Sequence, residues 1–189
     1  MSVHQDKSTI LSLRRIVSDS DALRLFSALG PSYFAWRLRK GPLQKIAAAF
    51  VPFALYTVRY QMDRSISCRF FALDQIDGTL DLFEFPKAIA SQELIPVESS
   101  NRIAPKLSNE RAQSLLYEKV LRIVFKQGFF RLQRPKLQID PEIIPFAIPY
   151  WLGFYGQDGT LGCRVLDAVR GRMEGQKATV FFERWLMEE

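Results

Sequence analysis

A chain of 189 residues with 48% hydrophobic and 24% charged side chains is long and apolar enough for a folded core, which excludes a disordered chain. The formal net charge is +6, and the longest apolar runs, residues 46–56 and 143–155, each contain proline and fall short of the roughly 20 residues of a membrane-spanning helix. One histidine, His4, and two cysteines far apart, Cys68 and Cys163, exclude a paired-cysteine zinc or redox motif and leave two thiols expected to be free.

In chain order, residues 1–15 lack the apolar core and small-residue cleavage site of a secretory signal, so a soluble, cytoplasmic protein is the expectation. Ile10, Leu11, Leu13, Ile16 and Val17, beside Lys7, Arg14 and Arg15, predict an amphipathic helix in an N-terminal arm over 1–19. It is expected to pack on its own domain or to make a dimer contact. Ser20 or Asp19 should cap a helix through Ala22, Leu23, Leu25, Phe26 and Leu29, ended by Gly30-Pro31.

Fifteen Phe, six Tyr and three Trp suit the half-buried surface of a sheet. Strands are predicted around Val51-Pro52-Phe53-Ala54-Leu55 and up to Asp74, with Asp77-Gly78 as a hairpin turn and 79–85 alternating well enough to continue the hairpin. Residues 86–106 read as a polar, proline-containing connector. Ser108 should cap a helix to about Gln127, with Gly128 stopping it. Two more strands follow, with turns at Asp158-Gly159 and Arg170-Gly171, and residues 177–187 are spaced as a closing helix.

The chain also repeats itself. Val51-Pro52-Phe53-Ala54-Leu55 matches Ile144-Pro145-Phe146-Ala147-Ile148, and at the same offset the segment 73–81 falls on 166–174, aligning Asp74 with Asp167 and Gly78 with Gly171. One residue out of step, 36–44 falls on 130–138. The fold class expected is therefore α+β, a tandem duplication of a helix plus antiparallel-sheet unit of about 94 residues, with a C-terminal helix. The organisation expected is an arm at 1–19, a first repeat at 20–85, a connector at 86–106 and a second repeat at 107–189.

With the only histidine near the first residue, a Ser-His-Asp or Cys-His site cannot be assembled, and P-loop and dinucleotide glycine patterns are absent from the sequence. No metal and no cofactor are expected. Asp74 and Asp167 are the candidates for a carboxylate-only site. Each stands four residues before a turn glycine, Gly78 or Gly171, where a carboxylate bonding nearby N–H groups is a structural device; alanine there should cost about 1 kcal/mol.

The stretch Leu166-Asp167-Ala168-Val169-Arg170-Gly171 resembles the Val-Asp-Ala-x-Thr-Gly strand-turn of PepSY domains, over some ten residues per copy, with Asp77 and Arg170 at the place of the family's threonine. The resemblance implies a small α+β module with a non-enzymatic binding or inhibitory role. PepSY domains are commonly exported, whereas this sequence shows no signal.

Charge supplies the remaining lead. Between 119 and 139 stand six basic residues and no acidic one, including Arg131, Arg134 and Lys136; Arg37, Arg39 and Lys40 form a parallel cluster interleaved with aromatics. Basic groups neutralise phosphates and rings stack bases, so these six are candidate contacts for an anionic partner such as nucleic acid; the competing reading is a solvated rim over a buried aromatic face. The leading expectation is a non-catalytic binding or protein-interaction module, with a protein partner or homodimer. An adaptor for an anionic partner comes second and a carboxylate-only enzyme third.

Overall fold

The fold is given by a computed structural model that describes residues 8–27, 41–62, 65–99, 101, 103–126, 136–141, 145–157 and 160–188. Among them the chain is α+β. In order it forms β1 (Ser8–Leu13), α1 (Asp19–Ser27), β2 (Leu43–Met62), β3 (Ser65–Asp74), β4 (Phe83–Phe85), a 3-10 turn (Ser91–Glu93) and β5 (Leu94–Ser99). There follow α2 (Asn109–Lys126), β6 (Lys136–Pro141), β7 (Phe146–Gln157), β8 (Thr160–Asp167), β9 (Arg172–Met173) and α3 (Gln176–Glu188). The strands make one mixed, largely antiparallel sheet in the order β4-β3-β2-β7-β1-β5, with β6 beside β2, β8 beside β7 and β9 beside β8.

Two compact units emerge, and neither is a continuous piece of chain. Unit 1 gathers Met1–Val51, Leu94–Ile103 and Ala147–Glu189; unit 2 gathers Pro52–Glu93 and Ala104–Phe146.

Unit 1 is centred on the β7–β8 hairpin, in register from Tyr150 opposite Asp167 to Gln157 opposite Thr160. Helix α1 covers one face because Ala22 and Phe26, four residues apart on one stripe, are fully buried against Trp151, Tyr155, Leu166 and Ala168. Gly153 makes room for the ring: a Cβ there would stand 2.7 Å from Phe26 Cδ1, so a side chain would push against a buried aromatic. Two aromatic donors tie the helix down. Trp151 Nε1 donates to the Val17 carbonyl at 3.0 Å and the Tyr155 hydroxyl to the Phe26 carbonyl at 2.8 Å. Each satisfies a main-chain oxygen that burial would otherwise leave without a donor.

Helix α3 packs against β8, with Phe182 meeting Tyr150 at a centroid distance of 5.5 Å and Trp185 at 6.2 Å. Strand β1 pairs antiparallel with β5 from Ser8 opposite Ser99 to Leu13 opposite Leu94, and bridges in parallel to β7 at Ser12 and Ala147. The buried Ser12 hydroxyl reaches the Leu13 and Ala147 carbonyls.

Unit 2 pairs β2 with β3 from Phe53 opposite Asp74 to Met62 opposite Ser65, and with β6 from Tyr56 opposite Pro141 to Gln61 opposite Lys136. Helix α2 buries Ala112, Leu116 and Val120 against Tyr56, Val58, Phe71 and Leu73. Ala112 and Leu116 repeat the spacing of Ala22 and Phe26. In unit 1 the phenylalanine lies over a glycine, and in unit 2 the leucine stands in one cluster with Tyr56.

Several expectations need correction. Residues 8–13 are a strand, not an amphipathic helix: Ser12 is wholly buried and Leu11 exposed, the reverse of what the apolar stripe required. The cap of α1 is Ser18, whose Oγ accepts from Asp21 N at 3.1 Å, rather than Ser20 or Asp19. The hairpin predicted through 79–85 is realised only at β4, because the Asp74 carboxylate holds the preceding residues in a wider loop. The connector carries β5, where Leu94 is buried and Pro96 exposed. The Ser108 cap holds, its Oγ accepting from Arg111 N at 3.3 Å, and the closing helix is present as α3. The endings at Gly30-Pro31 and Gln127-Gly128 and the Asp158-Gly159 turn lie outside the described residues. Both thiols are free, Cys68 exposed and Cys163 buried.

Phe53 and Phe146 do not coincide. Phe53 faces Asp74 across its hairpin, but the residue facing Asp167 is Tyr150, four positions beyond Phe146. The hairpins share another feature: Gln75 N donates to the Pro52 carbonyl and Ala168 N to the Pro149 carbonyl. Strand β3 is two residues longer than β8, which accounts for the slip.

Candidate functional site

The aspartate turns are the most organised polar features. Asp74 ends β3 with no exposed surface, its Oδ1 accepting from the backbone N–H of Ile76 and Asp77 at 3.2 Å and Gly78 at 2.9 Å, its Oδ2 from Leu80 at 3.0 Å. Gly78 has φ 68°, the left-handed region in which a side chain is strained. Burial pushes the Asp74 carboxyl above the usual carboxylate range; the Asp77 charge adds to this and the donated N–H bonds oppose it.

Asp167 ends β8, equally buried, its Oδ1 accepting from Val169 N and Arg170 N at 2.8 Å. Its Oδ2 takes the Arg170 Nε, and the same guanidinium reaches Glu174 Oε1 at 3.2 Å, which also accepts from Arg172 at 3.3 Å. Gly171 has φ 68° as well. Asp77 and Arg170 thus hold the same place, one adding a like charge and the other an ion pair.

Both carboxylates are occupied by their own loops, so neither is presented to a substrate. Asp74 and Asp167 lie in different units, each beside its own glycine turn. Among the described residues no group of three His, Cys, Asp or Glu is placed to hold a metal ion.

Of the six basic candidates, Lys136 is exposed at the start of β6; Arg37, Arg39, Lys40, Arg131 and Arg134 lie outside the described residues. Elsewhere cations stack on rings within units. The Arg15 guanidinium lies 4.9 Å from the Trp151 ring centroid and Lys45 Nζ 5.2 Å from that of Phe154. No described helix is long and apolar enough to cross a membrane, which says nothing of spanning strands.

Sequence analysis placed Leu11 and Ile16 in an arm that could make a dimer contact, but read Leu23 and Leu25 only as part of the helix. Eight large hydrophobics are exposed among the described residues, and four fall between residues 11 and 25: Leu11 at 45%, Ile16 at 68%, Leu23 at 49% and Leu25 at 41%. Leu23 and Leu25 flank the buried Ala22 and Phe26 stripe of α1 on either side. The signal was available in a nine-residue helix with more apolar residues than one face can bury.

Compared with protein-family models, curated proteins and solved structures, the chain matches none.

Proposed function

We propose that the chain is a duplicated, non-catalytic protein-interaction module that meets its partner, a second copy first, through the apolar surface of residues 11–25. The observation that carries this reading is that four of the eight exposed large hydrophobics among the described residues fall between residues 11 and 25, since a large apolar side chain gains free energy by being covered. The saturated Asp74 and Asp167 carboxylates weigh against the carboxylate-only enzyme. The PepSY-like strand-turn is in keeping with a binding role.

Duplication is supported by corresponding parts: a capped helix, a hairpin closed by a proline carbonyl, and an Asp-x-x-x-Gly turn with its glycine at the same φ. The test is sedimentation equilibrium of the parent and of Leu23→Ser with Leu25→Ser, both at exposed positions that leave the core intact. The expected result is a concentration-dependent dimer that the double variant weakens at least tenfold. A parent that stays monomeric, and whose in-cell cross-links include no protein, overturns the reading. Steeply salt-dependent binding of single-stranded nucleic acid by such a monomer would favour the anionic-partner alternative.

A further inference from the structure

We infer that the two halves of the chain, residues 1–103 and 104–189, are reciprocally exchanged: each is an incomplete module whose complement is the other half. A half from a second copy of the chain serves equally as that complement. The inference rests on the duplication reading and goes further, because ordinary tandem copies would each close on themselves.

The helix-docking bonds carry it. In unit 1 the amides of Ile16 and Val17, leading into α1, donate to the Ala168 carbonyl at 2.9 and 3.2 Å, the residue after Asp167. In unit 2 the amides of Lys106 and Leu107, leading into α2, donate to the Gln75 carbonyl at 2.7 and 2.9 Å, the residue after Asp74. The two pairs are the same bond in corresponding places. Yet the first runs from the first half to the second, and the other from the second half to the first.

The strands tell the same story. Gly156 N of β7 donates to the Pro42 carbonyl before β2, and Gln44 reaches the Gly156 carbonyl; in unit 2, Gln138 of β6 lies opposite Arg59 of β2. Helix and following strand thus come from one half, hairpin and aspartate turn from the other. The cores agree: Ala22 and Phe26 are buried on Trp151, Tyr155 and Leu166, whereas Ala112 and Leu116 are buried on Val58, Phe71 and Leu73. Each half alone would leave the apolar stripe of a helix and the apolar face of a hairpin in water.

Two measurements on the full chain test this. Native-state hydrogen exchange of Tyr155→Phe, which removes the hydroxyl donated to Phe26, should lower protection in α1 at least tenfold relative to α2. Phe71→Leu should do the reverse. Protection lost in the helix of the same half as the substitution would overturn the exchange.

A protease site inserted between the exposed Ala104 and Pro105 then allows the folded protein to be nicked. The nicked halves should migrate as one species and separate only on unfolding. After separation, neither alone should recover cooperative melting, and a first half mixed with a tagged second half from another preparation should recover the melt of the nicked parent. A half that melts cooperatively by itself overturns the exchange while leaving duplication standing. Mixed halves that fail to recover, under conditions where the intact chain refolds, overturn the claim that a second copy is an equal complement.

Discussion

The loops after Asp74 and Asp167 solve one problem with different means. Both must close a strand over main-chain N–H groups that are buried or partly buried. The first does it with a carboxylate alone, spread over four amides and worked against by Asp77; the second shares the task with Arg170, which is in turn held by Glu174. A buried carboxylate is tolerable where donors surround it, and an adjacent guanidinium reduces how many are needed. The loop after Asp74 should therefore be the more sensitive.

The widest gap is expected on removing the carboxylates. Asp74→Ala strands four N–H groups, two of them buried, and should cost about 2–4 kcal/mol, at the upper end for a lost acceptor, whereas Asp167→Ala should cost about 1–3 kcal/mol because Arg170 is partly exposed and water can reach it. The first exceeds the cost of about 1 kcal/mol expected from sequence, and the second begins at it. Urea unfolding of the two variants at neutral pH checks the order, and equal losses would break the comparison.

A smaller difference is expected at the glycines. Both sit at φ 68°, so alanine should cost about 1 kcal/mol at Gly171, where the new Cβ would stand 3.6 Å from Val17 Cγ2. At Gly78 it would stand 2.6 Å from Leu115 Cδ1, and displacing that side chain should bring the total to about 2 kcal/mol. Thermal unfolding of Gly78→Ala beside Gly171→Ala measures the difference.

The smallest effect concerns charge. Burial first, and then Asp77, raise the folded-state pKa of Asp74 above its unfolded value, so the folded protein holds this proton more tightly. Its contribution to stability is fully present below the unfolded pKa and is lost as pH rises through the folded one. Asp77→Asn keeps an acceptor for Thr79 N but removes the like charge. It should lower the Asp74 pKa and stabilise the protein at pH 7 by about 0.5 kcal/mol. Carboxyl-carbon NMR titration with urea midpoints at pH 4 and 7 would show both changes.

What could be read from the sequence was what is local. Asp74 and Asp167 before their glycines, the Ser108 cap and the 177–187 helix each depend on residues within a turn or two, and all took their expected form. What escaped depends on partners far along the chain. Residues 8–13 became a strand because β5 and Ala147 supply their hydrogen bonds. The Pro-Phe-Ala match did not carry over to the registers, in which Phe53 faces Asp74 but Tyr150, not Phe146, faces Asp167; a hairpin can lengthen by two residues per arm without changing which face is buried. Neither Trp151 over Val17 nor Tyr155 over Phe26 has a short-range signature. Of the basic candidates, only Lys136 lies among the described residues.

The two sulfurs differ in what they can report. Cys68 is exposed on β3, while Cys163 is buried on β8, its thiol pushed up to about 12 first by burial and then by the Glu183 charge. At neutral pH Cys163 is therefore both shielded and uncharged, the form that neither alkylating agents nor oxidants attack. Its silence lasts as long as unit 1 stays shut, so the chain carries an internal clock for the opening of that unit, with Cys68 beside it to show that the reagent was present.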